Sequence, residues 1–168
     1  ITDVDSGASK GLAITGSNQT NGIWYYTRNG GTTWTAVGTV SNTSALLLAD
    51  NASTRLYFAP NANYNGTSSA ALTVRAWDQT SGTAGTKVST ASNGGITAFS
   101  SATDTVNVTV TAVNDAPTIA SLSGDSRAYS EGAGAVVIES GTAVVADVDS
   151  TNFDTGTLTV SIPAGGDS

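Results

Sequence analysis

Short alternations of apolar and polar residues, cut by turn formers, run along most of this chain. GLAIT (11–15) alternates, and GIWYYT (22–27) and TTWTAVG (32–38) flank a turn centred on Asn29-Gly30-Gly31. SALLLA (44–49) is a compact apolar run, and TRLYFAP (54–60) follows the next turn. AALTVRAWD (70–78) places Leu72, Val74 and Ala76 on one face, and TDTVNVTVTAV (103–113) does the same with Val106, Val108 and Val110. Period-two runs bounded by Gly, Asn, Asp and Ser are the mark of strands. Residues 79–102 are rich in Gly, Ser and Thr and predict a long loop or irregular hairpin. No sustained stretch has helical periodicity, so the expected class is all-β.

Asn-Asp-Ala-Pro (114–117) breaks the alternation. Pro117 lacks a backbone donor and pushes Ala116 towards an extended conformation, as in a short, semi-rigid linker leaving a domain. Strands are expected again at AYSEGAGAVVIES (128–140), TAVVADVDS (142–150) and TGTLTVSI (155–162), and the chain closes on PAGGDS with nothing to pair that last strand. ITDVDSGASKGLAIT (1–15) matches VADVDSTNFDTGTLTVSI (145–162) at an offset of 144 positions. Such self-similarity marks a repeat. The expected organisation is a repeat at 1–113 lacking its first strands, a linker at 114–117, and the opening strands of the next repeat at 118–168.

Composition reinforces the β reading. Only 11% of residues are charged, against roughly 25% in average domains. The polar surface is made instead by Ser, Asn, Gly and 27 threonines, and Thr, being β-branched, favours strands. The net charge of −7 disfavours nucleic acid and anionic membranes but suits a cation wherever the acids cluster. They cluster in two identical Asp-Val-Asp-Ser units, holding Asp3 and Asp5, and Asp147 and Asp149. The chain has no Cys, Met or His, which excludes disulfides, thiolate metal sites, thiol catalysis and imidazole base chemistry. No pair of carboxylates stands in a recognisable acid–base context, and Asp104 and Asp154 are expected to be surface acids. The expectation is a non-enzyme. Neither a signal peptide nor a membrane-spanning run is visible. Acidic, cysteine-free, Thr/Asn/Gly-rich chains suggest a secreted or cell-surface protein.

Thr27-Arg28-Asn29-Gly30-Gly31-Thr32-Thr33-Trp34 resembles the Asp-box hairpin of sialidases and related propellers, with Asn where Asp is usual. A propeller needs several copies and this chain has one. A sialidase also needs an arginine cluster, and Arg28, Arg55, Arg75 and Arg127 are scattered. The expected role is local: a hydroxyl-capped turn with Trp34 packed behind it. Sequons at Asn18, Asn42, Asn51, Asn65 and Asn107 are explained mostly by turn chemistry in so Asn- and Thr-rich a chain.

The acidic pairs carry more chemistry. Asp-x-Asp at a strand end aims two carboxylates at one cation, and Ca²⁺ takes six to eight oxygen ligands. Asn114-Asp115 offers further oxygens. Solvated turn acids are the plainer alternative.

FAPNANYNGTSSAALTVRAWD (58–78), followed by TVNVTVTAVNDAP (105–117), resembles the bacterial cadherin-like repeats of giant secreted adhesins, RTX-type adhesins among them. SRAYSEGAGAVVIESGTAVVADVDS (126–150) resembles the start of the next such repeat. The resemblance implies a cadherin-like, Ig-like antiparallel β-sandwich of seven strands in tandem array, with Ca²⁺ at the junctions. It implies Asn114 and Asp115 as linker ligands, Asp147 and Asp149 as their partners in the following repeat, and Asp3 and Asp5 as the same pair one repeat earlier. Asp78 matches the acid ending the Ala-x-Asp strand, and Glu131 an acid on the first strand of the next repeat.

The expected function is structural: an extracellular repeat that extends and rigidifies an adhesin stalk or filament. Its partners are neighbouring repeats, or identical subunits joined head to tail by strand complementation. The alternative is a carbohydrate-binding module, which requires Trp24, Tyr26, Trp34 or Trp77 in a solvent-facing row. Core packing of these rings is the favoured expectation.

Overall fold

The computed structural model describes residues 9–121, 128, 130–134 and 143–150. Asp3, Asp5, most of 128–140 and the expected strand 155–162 lie outside the described residues. The chain divides into two compact units, Ile1–Ala112 and Val113–Ser168. All regular elements among the described residues are β-strands, paired antiparallel.

The first unit contains β1 (Gly11–Ser17), β2 (Gly22–Thr27), β3 (Thr35–Ala36), β4 (Ala45–Ala49), β5 (Arg55–Pro60), β6 (Gly66–Trp77), β7 (Lys87–Val88) and β8 (Asp104–Val110). They form a five-stranded sheet of order β7-β4-β1-β6-β8 and a three-stranded sheet of order β3-β2-β5. Between them lies the sandwich core: Ile14, Trp24, Val37, Leu46, Leu48, Leu72 and Val74, with Leu56, Phe58 and Val108 packed against it. Trp24 and Phe58 stack with ring centroids 5.1 Å apart. This arrangement is an antiparallel β-sandwich, the architecture that the resemblance implies, and it is all-β as the alternating patterns predict.

The apolar run of β4 has a second cause. Leu46 and Leu48 face the sandwich core, while Ala45 and Leu47 enter a separate cluster with Ala13, Trp77, Ala98 and Phe99. That cluster sits on the opposite face of the five-stranded sheet, under residues 79–102. The expected loop is therefore a covering layer. It contributes β7, which pairs with β4, and a bridge from Trp77 to Phe99. Its backbone bonds to the sheet at Leu47, Ala76 and Asp78. Trp77 donates its indole N–H to the Ser81 carbonyl at 2.7 Å. Gly11 makes room for that ring, since a Cβ there would lie 2.6 Å from Trp77 Cε3. A strand buried on both faces loses its alternation, which is why SALLLA reads as a continuous run.

The strand expected at 32–38 shrinks to Thr35–Ala36, because residues 28–34 curl into a turn. β6 begins at Gly66, ahead of the expected start, and bulges between Ser68 and Leu72. Ala70 takes a φ of 46° there, and its N–H is satisfied by the Asn107 side-chain carbonyl at 2.8 Å. β8 ends the sheet as an edge strand.

In the second unit, β9 (Thr118–Ala120) pairs with β10 (Val144–Ala146), Ile119 opposite Val145. Thr118 also donates its hydroxyl to the Ala146 carbonyl at 3.1 Å. β9 starts directly after Pro117, earlier than the expected resumption at 128.

Candidate functional site

In the second unit, β10 delivers the chain into the turn Asp147-Val148-Asp149, while residues 111–117, which carry no regular structure, lead into β9. Pairing of β9 with β10 sets these two stretches side by side. The result is a hydrogen bond from the Asp115 N–H to Asp149 Oδ2 at 3.0 Å, between residues 34 positions apart. Within the turn, the Asp149 N–H donates to Asp147 Oδ1 at 3.1 Å, the usual way an Asp closes a local turn. Asn114 donates its side-chain N–H to the Asp115 carbonyl at 2.7 Å.

These bonds hold Asp149 below the usual carboxylate range. The largest cause is the Asp115 N–H, followed by hydrogen bonding to the Asp147 side chain. Asp149 is exposed and ionised at neutral pH. The turn thus presents two carboxylates close together, with Asp115 and Asn114 beside them. Its donors are all hard oxygens, the set suited to Ca²⁺ or Mg²⁺ and unsuited to softer metals. Among the described residues, however, no three acidic side chains converge closely enough to complete a metal centre.

The other expected ligands are placed differently. Asp3 and Asp5 lie outside the described residues. Asp78, in the first unit, accepts from the Thr80 N–H at 2.8 Å and the Thr80 hydroxyl at 2.6 Å, capping the turn after β6. Glu131 sits in an exposed turn with Gly132, whose φ is 76°. The bonds of this turn join Asp147 to Asp149, Asp149 to the Asp115 backbone N–H, and Asn114 to the Asp115 backbone carbonyl.

A second concentration of recognition groups lies on the outer face of the three-stranded sheet. Along β2, Trp24 and Tyr26 point into the core, so Ile23 and Tyr25 point out. In register, Ile23 faces Ala59, Tyr25 faces Tyr57 and Thr27 faces Arg55 on β5. Trp34 joins this face, its ring centroid 5.7 Å from that of Tyr57 in an edge-on arrangement, and Tyr25 lies 6.4 Å from Tyr57. The expectation that Trp34 packs into the core is corrected here: Trp34 is 43% exposed and Tyr57 52%, whereas Trp24 and Trp77 are buried. The period-two alternation of β2 already separates Tyr25 from Trp24 and Tyr26, but nothing in the sequence says which set faces inward.

The turn that carries Trp34 is tightly determined. Asn29 Oδ1 accepts from the Thr27 hydroxyl at 2.7 Å and from the Thr33 N–H at 3.0 Å, and Asn29 Nδ2 donates to the Thr33 hydroxyl at 2.9 Å. The Thr27 oxygen in turn accepts from the Gly31 N–H, and the Gly30 N–H reaches the Ser53 carbonyl at 2.8 Å. Gly30 and Gly31 adopt φ values of 72° and 103°, which side chains resist. No protein-family model, curated protein or solved structure matches the chain.

Proposed function

We propose that this chain is a non-enzymatic extracellular structural repeat, as its cadherin-like motifs imply, and that Ca²⁺ held by the Asp147–Asp149 turn stiffens its junction. The observation that carries this reading is the hydrogen bond from the Asp115 N–H to the Asp149 carboxylate. It joins the segment leaving the first repeat to the acidic turn of the next through one ionised group. Asp147 and Asp149 would hold the ion, with Asp115 and the Asn114 amide oxygen completing the protein's share.

When bound, Ca²⁺ supplies two positive charges and a coordination sphere of six to eight oxygens. The protein's part is to assemble like charges that otherwise repel. Asp147 and Asp149 stand on a turn already closed by their own backbone, so little ordering is needed there. Asp115 and Asn114 stand on a segment without regular structure, and drawing their oxygens towards the turn would fix its path.

Assembly by strand complementation is proposed on a separate feature. β8 is an edge strand, and Val106 on it is 41% exposed. An extended segment of a second copy would add to that edge and cover the valine row.

The test is a calorimetric titration of the 168-residue chain with Ca²⁺ and Mg²⁺, repeated on Asp147→Asn/Asp149→Asn. Saturable Ca²⁺ binding with a rise in melting temperature is expected, abolished in the double variant. A chain whose heat signal and melting temperature are the same in Ca²⁺ and in chelator would refute the calcium reading.

A further inference from the structure

We propose that the outer face of the three-stranded sheet is a glycan-binding platform, on which Tyr25, Trp34 and Tyr57 stack against pyranose rings. The proposal rests on the first unit alone and is independent of the calcium reading.

Four observations carry it. The exposure is large and built: Trp34 and Tyr57 are about half exposed, yet Trp34 follows a turn held rigid by the Asn29 and Thr27 hydrogen bonds. A pre-ordered aromatic loses little entropy on binding. The rings are also set apart and tilted, Tyr25 at 33° and Trp34 at 61° to Tyr57. They offer separate stacking surfaces in a shallow depression floored by Ala59, rather than a groove for a helix or strand.

Charge narrows the occupant further. The chain has 13 acids and a net charge of −7, but the outward positions Ile23, Tyr25, Arg55, Tyr57 and Ala59 include no carboxylate. Among these outward positions Arg55 is the one charged residue, two residues from Tyr57. Its guanidinium donates one bond to the Thr54 carbonyl at 2.8 Å and has donors left for hydroxyl or carboxyl groups. An uncharged aromatic floor with a flanking donor suits the apolar C–H face and polar rim of a neutral or weakly acidic sugar.

Area decides against a second copy. With side chains of roughly 150–250 Å² each, two rings near half exposure and the less exposed Tyr25 offer on the order of 250 Å². A stable protein interface needs about 800 Å² per partner. One to three sugar rings fit the smaller figure.

The experiment uses the whole chain and soluble hexasaccharides of cellulose, chitin, mannan and polygalacturonate, each titrated with and without chelator. Trp24 and Trp77 are buried, so acrylamide quenching of tryptophan fluorescence reports mainly on Trp34. At least one probe is expected to bind saturably and to shield Trp34 from acrylamide. Trp34→Ala and Tyr57→Ala should each weaken binding roughly tenfold, about one 1.4 kcal/mol step, with unchanged melting temperature. Three results would overturn the proposal: no saturable binding of any probe below about 10 mM, the equivalent of about −2.7 kcal/mol; binding that survives both variants; or a concentration-dependent dimer, seen by sedimentation, that Trp34→Ala abolishes.

Discussion

Asn29 is the residue on which the Trp34 turn depends, and replacing it separates side-chain bonding from mere glycine flexibility. Asn29→Ala removes three hydrogen bonds, to the Thr27 hydroxyl, the Thr33 N–H and the Thr33 hydroxyl. Each bond contributes about 0.5–1.5 kcal/mol net. The two to Thr33 are solvent-accessible, so water replaces much of their value. Thr27 is only 1% exposed, and its hydroxyl would lose the one acceptor it has, which costs about 1–3 kcal/mol. The expected loss is about 2 kcal/mol. Asn29→Asp keeps both acceptor bonds, and the third survives if the Thr33 hydroxyl reverses and donates. Its stability should lie within about 0.5 kcal/mol of the parent. Urea unfolding followed by tryptophan fluorescence measures both, and acrylamide quenching of the folded state shows whether Trp34 loosens. If Asn29→Ala stays within about 0.5 kcal/mol of the parent, or Asn29→Asp is as damaging as Ala, the side-chain network is not what holds this turn.

Two further outcomes test the layer over the sheet and the acidic turn. Leu46→Ala and Leu47→Ala, on opposite faces of β4 and both buried, should each cost about 2–5 kcal/mol in chemical denaturation. A cost under about 1 kcal/mol for Leu47 alone would mean that residues 79–102 do not form a packed layer. At Asp149 the folded carboxyl is held below its ordinary value of about 3.9, chiefly by the Asp115 N–H. The bond is therefore intact above that value and is lost as pH falls through the lower folded one. The Asp115 amide resonance in an acid NMR titration should shift with a midpoint below about 3.9, and a midpoint at or above that figure would show that the bond does not form.

Much of the sandwich is legible in the sequence because one buried face imposes a period of two. β1, β2 and β5 lie within two residues of the runs that predict them, and β8 stops three residues short of its run. The misreadings have local causes. TTWTAVG looks like a strand, but Asn29 with Gly30 and Gly31 turns the backbone away until Thr35. Residues 79–102 look like a loop because their apolar members, Ala84, Val88, Ala98 and Phe99, are too sparse to show a period. They cover Leu47 and Trp77 all the same.

The two recognition surfaces differ in legibility for a reason that lies in the composition. With charged residues at 11%, an Asp-Val-Asp unit stands out against a background of hydroxyls and amides, and neighbouring acids in sequence remain neighbours in space. The acidic turn could therefore be found without coordinates. What the sequence lacked was the pairing of β9 with β10, which brings Asp115 to Asp149 across 34 positions. Aromatic residues carry no such label. Trp24, Tyr25 and Tyr26 are consecutive, and alternation assigns Tyr25 to one side and its neighbours to the other without naming the wet side. The decision comes from volume: the sandwich core is filled by Trp24, Phe58 and the leucines of β4, and an edge turn fixed by Asn29 cannot reach it. Trp34 and Tyr57 are left outside by packing, and the same hydrogen bonds that exclude Trp34 from the core hold it ready for a ligand.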